Sequence, residues 1–129
     1  MIALDTNILV RYLVQDDKKQ SLLAREFIEN HCNSENPAFI SVTTIVETYW
    51  VLKNIYGFGE AHVREGLGKL LETEQVSVEQ DEAIMAALGL SHPDLADAII
   101  FETGRFAGAT SLLTFDKKFA RVPGVELLK

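Results

Sequence analysis

The sequence predicts an α/β fold, a three-layer α/β/α sandwich with a mainly parallel sheet of about five strands. Two observations carry this prediction. Short apolar segments alternate along the chain with longer segments whose apolar residues have helical spacing. The apolar segments are continuous rather than alternating in polarity, which is typical of parallel strands covered on both faces. In such folds the functional site lies at the carboxyl ends of the strands.

The elements follow from apolar runs, capping residues and breakers. The expected strands are 1–4, 38–42, 76–78, 111–115 and 125–128. The expected helices are about 6–14, 18–31, 44–54, 60–72, 80–90 and 94–106. Asp16 or Asp17 should cap the second helix, and Thr43 or Thr44 the third. We expect the first strand to be buried, because it is short and entirely apolar.

Length and composition restrict the class of protein. The chain has 129 residues, of which 47% are hydrophobic, so we expect a single globular domain over 1–129 rather than a disordered chain. The single cysteine, Cys32, excludes an internal disulfide and a Cys-x-x-Cys zinc or redox site. We find no signal peptide and no apolar run long enough for a membrane span, so a cytoplasmic location is expected.

The formal charge of −7 argues against a nucleic-acid-binding surface that works by electrostatics alone. An acidic protein can still act on nucleic acid if its acids converge on cations. The excess negative charge would also be complementary to a basic protein partner.

Four acids are predicted at strand–helix junctions. Asp5 and Asp116 each follow a predicted strand, while Glu47 and Asp97 fall near the starts of predicted helices. Because the carboxyl ends of parallel strands meet at one edge of a sheet, these acids are candidates for a common site.

Structural roles are open for several of these acids. Asp5 and Asp116 could be helix N-caps. Asp94 has capping-box spacing from Ser91, and a capping role is favoured for it over a catalytic one. Glu47 and Asp97 each have apolar residues one turn ahead, so we expect them to share an apolar stripe. A carboxylate in apolar surroundings is costly unless it is paired or bound to metal.

Convergence of the acids would require a cation. Two carboxylates about 5 Å apart repel by about 3 kcal/mol at an effective dielectric of about 20. Oxygen ligands select hard cations, which makes Mg²⁺ or Mn²⁺ the natural choice. A water bound to such an ion can act as a nucleophile, which suits hydrolysis of phosphodiester bonds.

Other polar and aromatic residues have weaker patterns. The three histidines, including His92, lack metal-ligand spacing and are expected at the surface or at caps. Tyr49, Trp50 and Leu52 are expected in the core rather than as a base-stacking platform. Four basic residues could contact phosphates beside Asp116 or form a solvated face: Arg105, Lys117, Lys118 and Arg121.

Four motifs together resemble the PIN-domain family, and within it the VapC-type toxins of toxin–antitoxin pairs. The motifs lie in order along the chain at 4–9 (LDTNIL), 40–47 (ISVTTIVE), 94–100 (DLADAII) and 113–119 (LTFDKKF). Each motif alone is weak, but the four together cover essentially the whole chain. The resemblance implies Mg²⁺- or Mn²⁺-dependent cleavage of RNA, a homodimer and a small cognate antitoxin that occludes the site.

The resemblance also implies roles for particular positions. The acidic site would consist of Asp5, Glu47, Asp97 and Asp116. Asp5 and Asp97 would be the most direct metal ligands. The groups that hold the acids in place would be Thr6, Asn7 and Thr114. Asp97 fits the family's Asp-Ala pair better than Asp94, which would support the helix start or waters on the metal.

The sequence therefore leads to one hypothesis and two alternatives. The hypothesis is a metal-dependent endoribonuclease, the toxin of a toxin–antitoxin pair, that hydrolyses RNA with a metal-activated water. One alternative is aspartyl phosphotransfer with Asp5 as the nucleophile, although Asn7 stands where such phosphatases have a second Asp. The other is a PIN-like interaction module without catalysis.

Overall fold

A computed structural model of the protein describes residues 1–129, in which strands and helices alternate as the sequence predicts. The strands are β1 (Ile2–Ala3), β2 (Ala38–Ile40), β3 (Val76–Val78), β4 (Leu112–Thr114) and β5 (Val125–Leu127). The helices are α1 (Thr6–Val14), α2 (Lys18–His31), α3 (Val42–Asn54), α4 (Glu60–Leu71), α5 (Asp81–Leu88) and α6 (Leu95–Phe106), and a 3₁₀ turn covers Phe119–Arg121.

The chain forms two compact units, residues 1–81 and residues 82–129. The first contains a parallel sheet in the order β1-β2-β3, and the second a parallel pair of β4 and β5. All strand pairs are parallel and the strands number five, as predicted; three of them form the first sheet and two form the second pair. Uniformly apolar strands lack the alternating pattern that specifies a partner and a register.

The first strand is not buried, contrary to the prediction. Ile2 is 57% exposed, and β1 pairs only with β2, at the edge of its sheet. Burial begins at Leu4, whose amide donates to the Phe39 carbonyl at 2.9 Å. The apolar run predicted as an interior strand is therefore an edge strand, and it is followed by the buried residue Leu4.

The helix starts resolve two open choices. Asp17 caps α2, because its carboxylate accepts from the Gln20 amide at 2.9 Å. Ser41 caps α3 in place of the predicted Thr43 or Thr44, and its hydroxyl oxygen accepts from the Thr44 amide at 3.1 Å. The helix starts earlier than predicted because β2 ends at Ile40, which leaves Ser41 as the first extended residue with a capping oxygen.

Each unit has its own apolar core. In the first unit the fully buried side chains come from successive helices and from β2, and they include Leu9, Ile28, Ile40, Ile45 and Leu67. In the second unit they come from α5 and α6, and they include Ile84, Leu95 and Ile99. Full burial of one such side chain contributes roughly 1.5–3 kcal/mol. None of the helices has the length and apolar character needed to cross a membrane.

Candidate active site

Asp5 stands where β1 leads into α1. It is the N-cap of that helix, and its Oδ1 accepts from the Ile8 amide at 3.2 Å. The capping role is therefore real, but the side chain is exposed and its second carboxylate oxygen makes no hydrogen bond. The cap fixes the direction of the carboxylate and leaves one oxygen for a cation. A cap and a metal ligand are compatible roles for this residue.

Glu47 lies on the exposed face of α3, close to the start of α1. Its Oε1 accepts from the Thr6 hydroxyl at 3.2 Å, so the residue that follows Asp5 also holds Glu47. Asn7 is exposed and makes no hydrogen bond to either acid. The first unit thus brings Asp5, Thr6 and Glu47 to one place, at the carboxyl end of β1.

The expectation that Glu47 shares an apolar stripe is wrong. Glu47 is exposed, and Trp50, one turn later, is 57% exposed. The prediction that Trp50 lies in the core is wrong for the same reason, whereas Tyr49 and Leu52 are buried as expected. The core side of α3 also includes Thr48, so the division between faces follows helix geometry rather than the apolar residues alone.

Three acids line one pocket of about 470 Å³ in the second unit: Asp94, Asp97 and Asp116. Asp94 caps α6, and its Oδ1 accepts from the Asp97 amide at 2.9 Å, so Asp94 itself and not Ser91 is the cap. The Asp97 side chain is half-buried. Burial, and to a lesser degree the negative charges of Asp94 and Asp116, raise the pKa of Asp97 above its ordinary value.

Asp116 is held by the turn that follows β4. Its Oδ1 accepts from the amides of Lys118 and Phe119, at 2.8 and 3.2 Å, just before the 3₁₀ turn. The Asp116 amide donates to the Thr114 hydroxyl oxygen at 3.0 Å. Thr114 therefore orients the backbone of the acid, and it does not hydrogen-bond the carboxylate. These local bonds set the position of Asp116 at the carboxyl end of β4.

The same pocket contains positive charge. Lys118 and Arg121 line it and form no ion pair, and His92, which the sequence placed at the surface, lines it as well. Arg105 lies outside this pocket and pairs with the buried carboxylate of Glu102. Of the basic residues named from the sequence, two are thus beside the acids. The pattern that could have indicated His92 is its place just before the cap of α6.

A family model for the PIN domain matches residues 2–125. The chain belongs to the PIN domain family. The α/β fold class and the family predicted from the four motifs are confirmed. No curated protein matches the chain. Among solved structures, the chain is similar to VapC20 of Mycobacterium tuberculosis, a toxin that cleaves the sarcin–ricin loop, with 17% identity over 100% of both chains and a TM-score of 0.47.

The acids of this PIN domain suit a hard divalent cation by their chemistry. In neither unit do three or more His, Cys, Asp or Glu side chains converge closely enough to enclose an ion. Mg²⁺ does not need such an enclosure, because it keeps several waters and is commonly held by one or two carboxylates. The half-buried Asp97, crowded by two other acids, is the place where a cation would relieve most repulsion.

Proposed function

We propose that this PIN domain is a Mg²⁺- or Mn²⁺-dependent endoribonuclease, the toxin of a toxin–antitoxin pair that acts in the cytoplasm. The observation that carries the proposal is the pocket in which Asp94, Asp97 and Asp116 lie beside Lys118 and Arg121. Acids suit the cation, and unpaired basic side chains suit the phosphates of RNA. Membership of the PIN family supports the same assignment.

The proposed roles of the acids follow from the family resemblance. Asp5, Asp97 and Asp116 would hold one or two cations, while Glu47 would bind metal or orient the attacking water. The bound cation would supply an activated water and stabilise charge on the phosphate. Thr6 fixes Glu47 through its 3.2 Å hydrogen bond, and the amides of Lys118 and Phe119 fix Asp116. Lys118 and Arg121, which line the same pocket, would contact phosphates of the RNA.

The proposed partners are an RNA substrate, a second copy of the chain and a cognate antitoxin. They follow from the resemblance to VapC-type toxins rather than from a contact in the structure. The acidity of the chain, with a formal charge of −7, suits an antitoxin segment that carries basic residues.

A cleavage assay tests the proposal. Purified protein is incubated with end-labelled single-stranded RNA in Mg²⁺, in Mn²⁺ and in excess chelator. Asp5→Asn and Asp97→Asn are assayed beside it, and Glu126→Gln, an exposed acid on β5, serves as the matched control. We expect metal-dependent cuts from the wild type and from Glu126→Gln only. Equal cleavage by Asp5→Asn, or cleavage that persists in chelator, would overturn the assignment.

The toxin role needs its own experiment. Induction of the chain in a bacterial host should arrest growth, and Asp97→Asn should not. Co-expression of a small DNA-binding protein encoded next to this chain should restore growth. Sequencing of RNA ends after brief induction would identify the cut RNA. Normal growth in the presence of active enzyme would separate a ribonuclease from a toxin.

A further inference from the structure

Trp50, the only tryptophan of the chain, stands on the exposed face of α3 and has polar neighbours on that face. It is 57% exposed. Glu47, three residues earlier, and Asn54, four residues later, are both exposed, and the Asn54 side-chain amide donates to the Trp50 carbonyl at 3.1 Å. Residues three and four apart are neighbours on a helix. Val46, four residues earlier, is half-buried, so the indole is an exposed apolar surface beside Glu47, an acid of the proposed site.

The surroundings of Trp50 differ from those of the other exposed aromatic beside a predicted acid. Phe115, next to Asp116, is 79% exposed, and Leu113, two residues earlier in β4, is 57% exposed. Two adjacent apolar side chains form a patch of the kind that contacts other proteins. A single flat ring among polar groups suits a flat ligand instead.

We propose that Trp50 is a stacking platform for one base of single-stranded RNA, placed next to the Asp5 and Glu47 carboxylates. This inference rests on the proposed function and assigns one of its substrate contacts. A base on Trp50 lies one helical turn from Glu47, and the Thr6–Glu47 hydrogen bond connects α3 to the residue after Asp5. Trp50 then selects unpaired RNA, because bases within a duplex are already stacked on both faces.

Charge explains why an aromatic contact is useful here. The chain carries a formal charge of −7, and Asp5 and Glu47 are both exposed near this end of α3. Such a face repels phosphates, and it cannot retain RNA by ionic attraction. Stacking uses the face of the base, which carries no net charge, and every base has such a face. The contribution of Trp50 should therefore depend little on salt, unlike that of Lys118 and Arg121.

Because Trp50 is the only tryptophan, its fluorescence reports on stacking without a label. Single-stranded RNA is titrated into Asp5→Asn protein, in which the RNA stays intact, in the presence of Mg²⁺. Binding is followed by the anisotropy of labelled RNA, and stacking by quenching of the Trp50 emission. Both signals should saturate together. Trp50→Leu should weaken binding about tenfold or more, and Trp50→Phe should retain most of it.

Ile55→Ala is the matched control, because Ile55 is 70% exposed at the end of the same helix. It should leave RNA binding unchanged. The loss caused by Trp50→Leu should be the same at low and at moderate salt.

The outcomes separate this inference from the proposed function. If RNA binds while the Trp50 emission stays constant, the platform is wrong and the ribonuclease proposal stands. If no RNA binds at all, the proposed function fails, and the platform fails with it. If the emission instead follows protein concentration without RNA, and Trp50→Leu turns a dimer into a monomer, then Trp50 contacts a second copy of the chain and the inference is overturned.

Discussion

The two compact units hold their predicted acids in opposite ways. In residues 1–81, Asp5 and Glu47 are exposed, and the hydroxyl of Thr6 bonds Glu47. In residues 82–129, Asp97 is half-buried, and the charges of Asp94 and Asp116 act on it. Exposed acids are solvated by water and cost little without a cation. A half-buried acid near other acids is costly, so a cation would relieve more repulsion in the second unit than in the first.

The two units also differ in how they position their acids and in the basic side chains beside those acids. The first unit fixes its acids with a helix cap and one side-chain hydrogen bond. The second unit fixes Asp116 with two backbone amides and places Lys118 and Arg121 beside the acids. Of the proposed metal ligands, Asp97 and Asp116 should therefore contribute more to metal binding than Asp5. Thr6 and Glu47 should matter more for orientation of the substrate or the water.

The largest expected effect is on catalysis in the second unit. Asp97→Asn should reduce RNA cleavage by about 10²–10³-fold, the range typical of losing one group that stabilises transition-state charge. Asp94→Asn is the matched control, because Asn also caps helices and both variants remove one negative charge from the same pocket. Single-turnover cleavage rates in Mg²⁺ compare the two. Equal losses would mean that the total charge of the pocket matters and not the position of Asp97.

The next effect tests orientation in the first unit. Thr6→Val removes the hydroxyl that donates to Glu47 and keeps the size of the side chain. Cleavage should fall by about tenfold, because supporting groups around a metal site typically contribute about 10–100-fold. Thr73→Val, which removes a hydroxyl that donates to the Lys69 carbonyl in the same unit, should have no such effect. An unchanged rate for Thr6→Val would show that Glu47 needs no orientation.

A smaller effect tests whether the two units unfold together, as the single-domain prediction requires. Ile84 in the second unit and Ile45 in the first are both fully buried on helices. Ile84→Val and Ile45→Val should each lower the free energy of unfolding by roughly 0.5–1.5 kcal/mol. In hydrogen-exchange measurements, Ile84→Val should then speed exchange of the slowest amides in α4 as well as in α6. Faster exchange in α6 alone would mean that the units open independently.

The smallest effect is a pH dependence in the first unit. A hydrogen bond from the Tyr56 hydroxyl and the nearby Arg11 guanidinium lower the pKa of Asp16 below its ordinary value of 3.8. Because the folded pKa is the lower one, this stabilisation is present above about pH 4 and is lost as the pH falls through the folded pKa. Urea denaturation between pH 3 and 6 should therefore show a shallower acid dependence for Asp16→Asn. Glu74→Gln, an exposed acid outside this network, should match the wild type.

Much of the fold could be predicted because it depends on local chemistry. The bounds of β3 and the end of α6 at Phe106 follow from apolar runs and breakers, and Asp17 caps α2 as its residue type predicts. The pairing of strands could not be predicted, because uniformly apolar segments do not encode their neighbours. The edge position of β1 depends on that pairing, so it could not be predicted either.

The candidate site shows the same limit at the level of side chains. The sequence predicted that the four acids follow strands or lie near helix starts, and the structure places them there. It could not show that Trp50 is exposed, because a tryptophan beside Tyr49 is compatible with either face of a helix until the packing of α3 is known. Nor could it show that Thr114 bonds the amide of Asp116 instead of its carboxylate. Roles that need distances between remote positions require the structure.

Cys32 offers a way to follow the opening of the first unit in real time. Its thiol is buried at the end of α2, and burial raises the pKa of the thiol. Reaction with an aromatic disulfide needs a solvated thiolate, so it requires at least local opening around the end of α2. The chain has no other thiol, and every labelling event would therefore come from this one position. The half-life of labelling at Cys32 therefore reports the rate or extent of local opening, and no cysteine has to be introduced.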